Sequence, residues 1–246
     1  CYVFANLWHH YDERDTAEGY LQQVKDLMAM GADGIKLLAE AVRWWPGLQT
    51  VVLSDGVEAD LPDHVEILRV PGEIMEYVSP METPQGALFV CRLPEKQDFA
   101  CRPGMLLLDG IQDPGNLGTI LRTADALEIP VVLLEGCADP YSHKVVRSSM
   151  GAVFRTPVVQ TTWEQVKDAC AAAQIPVAVT ALSDRAEDIR SARLSEMAVV
   201  IGSEGQGVRK ELLEAAGAEL IIPMNENCES LNAAIAAAIV MWQMKL

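Results

Sequence analysis

The stretch Ile201-Gly202-Ser203-Glu204-Gly205-Gln206-Gly207-Val208 decides the fold, because the patterns of a strand, a turn and a helix meet there. The apolar, β-branched run 199–201 predicts a buried strand, and residues 208–213 predict a helix. Glycine permits sharp turns and close approach of the backbone to a ligand. The junction could therefore hold a nucleotide-sized ligand on bare backbone, although an ordinary strand-to-helix turn is the favoured interpretation of this stretch alone.

The glycine spacing does not match either of two common nucleotide-binding motifs. It is not GxGxxG, and the Lys-Ser/Thr of a P-loop is missing because Val208 follows Gly207. Glu204 would repel a pyrophosphate but would suit a cationic ligand or a hydroxyl. A nucleotide-dependent oxidoreductase with an unusual loop stays open as an alternative, with Glu226 or Glu229 standing about 20 residues on as the ribose contact.

Composition narrows the class of protein. The net charge of −16 argues against broad, nonspecific nucleic-acid binding, so any contact with RNA requires a local basic patch. Half of the residues are hydrophobic, yet no apolar run reaches the ~18 residues of a membrane span. The six cysteines form no CxxC pair, which indicates neither zinc nor a redox dithiol and favours a reduced, cytoplasmic setting without a metal.

Strand and helix patterns alternate from residue 105 to the end of the chain, which predicts an α/β domain with a parallel sheet covered on both faces. The predicted strands are 105–108, 131–134, 156–159, 177–180, 199–201 and 220–222, and the predicted helices are 116–127, 142–149, 163–173, 208–213 and 231–245. A smaller α/β pattern occupies residues 33–92, with helices 35–44 and 73–78 and strands 50–53, 65–68 and 87–91. Residues 93–104 are polar at first and are expected to link the two domains.

Polar residues collect in three clusters, each after a predicted strand. Open parallel sheets bind ligands at the edge where the carboxyl ends of their strands lie. The first cluster runs from Asp109 to Gly118 with Arg122 on the following helix, the second is the glycine-rich stretch, and the third is 222–232. Asn232 opens a nearly all-apolar helix, where a polar side chain needs a partner. Ser230, taken alone, is better explained as the N-cap of that helix.

Together the three clusters resemble the signature motifs of the SpoU/TrmH class of RNA 2′-O-ribose methyltransferases in the SPOUT superfamily. The matching residues are Asn116-x-Gly118-x-x-x-Arg122-x-Ala124, Ile201-Gly202-x-Glu204-Gly205-x-Gly207, Ile222-Pro223-Met224 and Glu229-Ser230-Leu231-Asn232-x-x-x-Ala236. The resemblance is strong over 105–246 and looser over 33–92, which looks like the small substrate-binding domain of many members.

The resemblance implies a methyltransferase domain with a deep trefoil knot, S-adenosylmethionine as cofactor, and a homodimer through the last helix. It implies methyl transfer to a ribose 2′-hydroxyl of RNA, with ribosomal RNA favoured over transfer RNA. A catalytically inactive RNA-binding or ribosome-assembly protein of the same fold is the alternative.

The resemblance also assigns residues to roles. Catalytic roles fall to Asn116, Arg122, Glu204, Ser230 and Asn232. Cofactor contacts fall to Thr180, Ala181, Ile201, Gly202, Glu204, Gly205, Gly207, Ile222, Met224, Ser230 and Leu231. Contacts with RNA are expected from Arg122, Lys144, Arg147 and Arg155, whereas Arg209 and Lys210 are better explained as a solvated helix face. The family assigns the base role to Arg122, but the pKa of arginine exceeds ~12, so clamping an RNA phosphate is the favoured role.

Residues 1–32 do not match the family. A helix is predicted over 17–30, and the sequence from Tyr20 to Leu38 looks like a piece of a metal-dependent amidohydrolase barrel. These residues are therefore expected to be a segment foreign to the rest of the chain, the result of a fused or mis-assembled start.

Overall fold

The computed structural model describes residues 35–95, 98–156, 158–225, 227–228 and 230–246. The expectations for residues 1–32 lie outside this part of the chain. The chain divides into two compact units. The first comprises the described residues before Lys96 together with Tyr141–Arg155, and the second comprises Lys96–Pro140 and Thr156–Leu246. The domain boundaries expected from the sequence stay a prediction.

The helices and strands are numbered from the first described helix. They are α1 (Ile35–Trp44), β1 (Leu48–Ser54), β2 (Glu66–Val70), α2 (Gly72–Val78), β3 (Ala87–Cys91), β4 (Met105–Leu108), α3 (Pro114–Leu127), β5 (Val131–Leu133), α4 (His143–Ser148), β6 (Val159–Gln160), α5 (Trp163–Ala173), β7 (Val177–Thr180), β8 (Glu187–Asp188), β9 (Ala198–Ile201), α6 (Lys210–Ala215), β10 (Ala218–Ile221) and α7 (Ala233–Met244). Short 3-10 turns cover Ala152–Phe154, Ile189–Ser191 and Leu194–Glu196.

The first unit is built on a three-stranded sheet in the order β2-β1-β3, with β1 parallel to β2 and antiparallel to β3. Val52 and Leu88 on this sheet pack with Met75 of α2 in a small core. Phe154, from the segment Tyr141–Arg155, meets Trp45 edge to face with ring centroids 5.6 Å apart. Aromatic packing therefore ties that segment to the first unit.

The second unit is built on a seven-stranded, all-parallel sheet in the order β6-β5-β4-β9-β7-β10-β8. Met105 and Leu107 of β4 pack with Trp163 of α5 and Leu212 of α6 on one face. Helices α3 and α7 pack against each other elsewhere in the unit. This confirms the predicted α/β class with a parallel sheet, while the knot implied by the resemblance stays a prediction.

Several predicted elements begin at a residue other than the observed one, and two of them are instructive. The strand expected over 156–159 is observed only at Val159–Gln160, and Thr156 lies outside it with its hydroxyl donating to Asp125 at 2.7 Å. The helix expected from Val208 begins at Lys210, because Val208 is buried in the core and the amide of Arg209 donates to a carboxylate. None of the described helices is long and apolar enough to cross a membrane.

Candidate active site

The glycine-rich loop forms a tight turn after β9. Ser203 and Gly207 pair in an antiparallel bridge, each amide donating to the other's carbonyl at 3.0 Å. A Cβ on Gly202 would lie 2.2 Å from the carbonyl carbon of Gly207 and from the amide nitrogen of Val208. Only glycine fits at this crossing of two backbone segments.

The other two glycines of the loop serve a different purpose. A Cβ on Gly205 or Gly207 would meet no atom within 4 Å, so bare backbone faces open space at both positions. Gly207 also has a φ of +68°, in the left-handed region that favours glycine. The loop therefore leaves open space beside its backbone at both positions, and a ligand could approach closely there.

Three predicted catalytic residues form a hydrogen-bonded chain. Asn232, and not Ser230 as one interpretation of the sequence expected, is the N-cap of α7. Its side-chain oxygen accepts from the amides of Ala234 and Ile235 at 2.9 and 3.3 Å. Its Nδ2 must then point away from the helix, and it donates to Oδ1 of Asn116 at 2.9 Å. The Nδ2 of Asn116 donates in turn to Oε1 of Glu204 at 2.5 Å. Capping one helix thus fixes the direction of every donor up to the carboxylate.

Asn116 is itself held in place by the start of α3. Asp113, the N-cap residue, accepts from the amide of Asn116 at 2.7 Å, and Pro114 occupies the first turn. Both features are typical of a helix N-terminus. Asn116 therefore lies in the first turn of α3, on a rigid element.

Arg122 does not join this chain. It is exposed on α3, and no hydrogen bond or ion pair links it to another residue of the described part of the protein. Six residues of helix separate it from Asn116, which turns the two side chains about 120° apart. The guanidinium of Arg122 is therefore available to bind a ligand.

A cavity of about 570 Å³ opens where β7, β9 and β10 end. All of the residues expected to contact a cofactor line it, including Ser230, which is also a predicted catalytic residue. They are Thr180, Ala181, Ile201, Gly202, Glu204, Gly205, Gly207, Ile222, Met224, Ser230 and Leu231. The sequence patterns placed these residues in separate loops, and parallel strand order brings the loops together.

The cavity also contains polar residues that the sequence did not predict. Glu219 of β10 accepts from the hydroxyl of Ser183 and forms an ion pair with Arg185. Neither the loop 181–186 nor a single Glu within an apolar strand carries a recognisable motif. Pairing of β10 with β7, visible only in three dimensions, sets Glu219 beside that loop.

The remaining predicted RNA contacts belong to the first unit. Lys144 and Arg147 are exposed on α4, where Arg147 contacts the sulfur of Met81. Arg155 is half-buried in an ion pair with Glu40 of α1. Its charge is therefore already compensated, unlike the charge of Lys144.

Arg209 and Lys210 differ from each other in surroundings. Lys210 pairs with Glu214 at 3.4 Å on an exposed helix face, as expected. The expectation for Arg209 was wrong, because its guanidinium is bound to Asp109 at 2.6 Å and to Glu135 at 2.8 Å. Burial raises the pKa of Glu135, but hydrogen bonds from backbone amides and from Arg209 outweigh it and leave that pKa below its ordinary value.

Comparison with known proteins decides the family. The model of the SpoU rRNA Methylase family matches residues 103–242, which include all three clusters. The chain belongs to this family. As a SpoU protein it is an S-adenosylmethionine-dependent RNA 2′-O-methyltransferase, and this membership rules out the nucleotide-dependent oxidoreductase.

Individual relatives agree with this assignment. The chain is 35% identical over 217 residues to the 23S rRNA (guanosine(2553)-2′-O)-methyltransferase RlmP of Bacillus subtilis, covering 87% of each protein. It superposes on a TrmH-family protein from Porphyromonas gingivalis with a TM-score of 0.79 and 31% identity, covering 93% of this chain and 97% of the other. An S-adenosylmethionine-bound rRNA methyltransferase from Sinorhizobium meliloti gives a TM-score of 0.77 with 28% identity, covering 92% and 94%.

The SpoU cavity fits the cofactor on physical grounds. Its volume lies within the roughly 300–1,000 Å³ typical of small-molecule sites. Glu204 and Glu219 contribute two carboxylates against the single guanidinium of Arg185, which suits a ligand carrying a sulfonium and an ammonium beside one carboxylate. When bound, the cofactor supplies an electrophilic methyl group on its sulfonium.

Proposed function

We propose that this cavity binds S-adenosylmethionine and that the chain methylates a ribose 2′-hydroxyl of ribosomal RNA beside Asn116, Glu204 and Asn232. The observation that carries the proposal is the hydrogen-bonded chain from the cap of α7 to Glu204, because Glu204 also lines the cavity. Rigid side chains on two helices thus meet the cofactor pocket at one point. Preorganised polar groups of this kind lower a barrier without reorganising during the reaction.

Each residue has a role in this proposal. Methyl transfer is an in-line displacement, so holding the hydroxyl in line with the methyl group supplies much of the rate. Asn116 and Asn232 hold Glu204 in one orientation, and Ser230 contributes a hydroxyl to the same pocket. Arg122, whose guanidinium has no hydrogen-bond or ion-pair partner among the described residues, clamps a phosphate of the RNA next to the reacting ribose. A 2′-hydroxyl is required, so RNA and not DNA is the substrate.

The family and a relative support ribosomal RNA as the target. The Bacillus subtilis relative acts, by its name, on a guanosine of 23S rRNA. Lys144 and Arg147 of the first unit supply the local positive charge that a chain of net charge −16 needs for RNA. We assign RNA binding to the small unit and, with ribosomes as the target, a cytoplasmic location to the protein.

A homodimer through α7 is also part of this proposal. Ile235, Ile239, Trp242 and Leu246 are exposed at spacings that place them on one side of the chain's last turns. A helix that is apolar all round is normally covered on every side. A second copy of the same helix would cover this face.

The target is tested by methylation of RNA transcripts. Purified protein is incubated with methyl-labelled cofactor and with transcripts of 23S rRNA, 16S rRNA or transfer RNA, and the RNA is then digested to nucleosides. We expect label in a 2′-O-methylated nucleoside from 23S rRNA only. Label confined to 16S rRNA or to transfer RNA would overturn the assignment of the substrate, whereas label on a base would overturn the proposed chemistry.

A further inference from the structure

Asp109 holds both ends of the glycine-rich loop. It follows β4 directly and is 1% exposed. Its amide donates to the carbonyl of Ile201, the last residue before the loop, at 2.9 Å. Its carboxylate accepts from the amide of Arg209, just beyond the loop, at 2.9 Å, and from Nε of the same arginine at 2.6 Å. One residue thus binds the segment that enters the loop and the segment that leaves it.

Arg209 extends this arrangement to the next strand. The Nη2 of Arg209 donates to Glu135, which lies just beyond β5, over a distance of 2.8 Å. The other carboxylate oxygen of Glu135 lies 3.4 Å from the amide of Trp163, at the start of α5. The arginine therefore links the ends of β4 and β5 to the segment that follows the loop.

Because Asp109 is buried, its carboxylate needs the ion pair with Arg209. A carboxylate without solvent is costly unless it is paired and fully hydrogen-bonded. Among the described residues, only Arg209 supplies a charged partner. Any movement of Arg209 away from β4 would leave that charge uncompensated, so the loop has one strongly favoured position.

We propose that Arg209 and Asp109 are positioning residues for the cofactor: they fix the backbone of 201–207, which lines the cavity, in the shape that binds S-adenosylmethionine. The inference rests on the proposed assignment of that cavity. Neither residue lines the cavity, so both act through the loop. The forked guanidinium suits this position because its Nε and Nη2 donate to two different carboxylates in fixed directions, whereas a lysine offers one nitrogen on a flexible stem.

The test compares steady-state kinetics of the full-length Arg209→Gln and Arg209→Lys variants. We expect KM for S-adenosylmethionine to rise about tenfold or more in R209Q, which is the effect of losing one charged hydrogen bond. The rise should be smaller in R209K, which keeps the positive charge. KM for RNA should stay near the wild-type value, and kcat at saturating cofactor should fall by a smaller factor than KM for the cofactor rises, because Asn116 still holds Glu204. The matched control is Arg193→Gln, since the side chain of Arg193 forms an exposed ion pair with Glu196 and no other within the described part of the chain.

A double variant separates positioning from stability. Asp109→Asn combined with Arg209→Gln leaves no unpaired buried charge, so its Tm should exceed that of R209Q, while its KM for the cofactor stays raised. Wild-type KM in the double variant, or a fall in kcat with unchanged KM in R209Q, would overturn the inference. Failure of the wild-type protein itself to bind S-adenosylmethionine would instead overturn the assignment of the cavity.

Discussion

At the scale of single residues, the active-site loop requires glycine at position 202, because a Cβ there would overlap the backbone of the loop. We predict that Gly202→Ala abolishes cofactor binding and lowers the free energy of unfolding by about 2 kcal/mol or more, because its methyl group overlaps backbone atoms that cannot move independently. Chemical denaturation and calorimetric titration measure the two effects. Gly205→Ala is the matched control for folding, since its methyl group meets open space. Equal denaturation midpoints for the two variants would contradict this account.

Asn232 combines a structural role and a functional one, and substitution can separate them. Asn232→Ser keeps an N-cap for α7, so we predict a free energy of unfolding within about 0.5 kcal/mol of the wild-type value. Serine cannot reach Asn116, so kcat should fall on the order of tenfold or more. Asn232→Ala should lose the same activity and about 1 kcal/mol of stability as well. Thermal unfolding and single-turnover methylation are the measurements; full activity in Asn232→Ser would remove the hydrogen-bonded chain from the mechanism.

The rate at which each cysteine reacts with a labelling reagent depends on its burial. Burial raises the pKa of Cys91 to about 12, and burial together with the neighbouring Cys101 thiol raises the pKa of Cys170 to about 12. Thiolates are the reactive form, so we predict that at pH 8 maleimide labels the exposed Cys228 well before either of them. A labelling time course read by peptide mass spectrometry tests this order. Rapid labelling of Cys91 in the folded protein would contradict the core of the first unit.

At the scale of elements, α7 carries an exposed apolar face. Trp242 is 59% exposed and Ile239 is 37% exposed. We predict that Ile239→Lys converts a dimer into a monomer, because a charge buried in an apolar interface is costly. Light scattering after size exclusion gives the mass. Ile67→Lys is the control, since Ile67 is 45% exposed on β2 of the other unit; a monomeric wild-type protein, or a dimeric Ile239→Lys variant, would exclude this interface.

Element boundaries show how far sequence patterns reach. The strand Met105–Leu108 and the helix Trp163–Ala173 were predicted to the residue, because an unbroken apolar run and a capped amphipathic repeat leave little ambiguity. The start of α6 was missed, since it depends on the carboxylate of Asp109, a hundred residues away. Pattern alone contains no information about such a partner.

At the scale of the whole molecule, the order of the strands in the sheet could not be predicted from the sequence. Parallel strands buried on both faces look alike, so periodicity could not place β9 between β4 and β7. The motif spacing still located Asn116, Glu204 and Asn232, which the sheet brings together. Ser183, Arg185 and Glu219 were not predicted, because their association follows from that strand order. Residues 141–155 pack with the first unit although sequence on both sides of them belongs to the second.

Calorimetric titration of the full-length protein with S-adenosylmethionine tests the central assignment most directly. We predict one bound cofactor per chain, and an affinity of Arg122→Ala within about twofold of the wild-type value, because Arg122 does not line the cavity. The same variant should lose methylation of RNA by at least about 100-fold, because its phosphate clamp is gone. Absence of binding by a protein that unfolds cooperatively would contradict the assignment of the cavity and favour an inactive RNA-binding protein of this fold. Full methylation by Arg122→Ala would contradict its catalytic role.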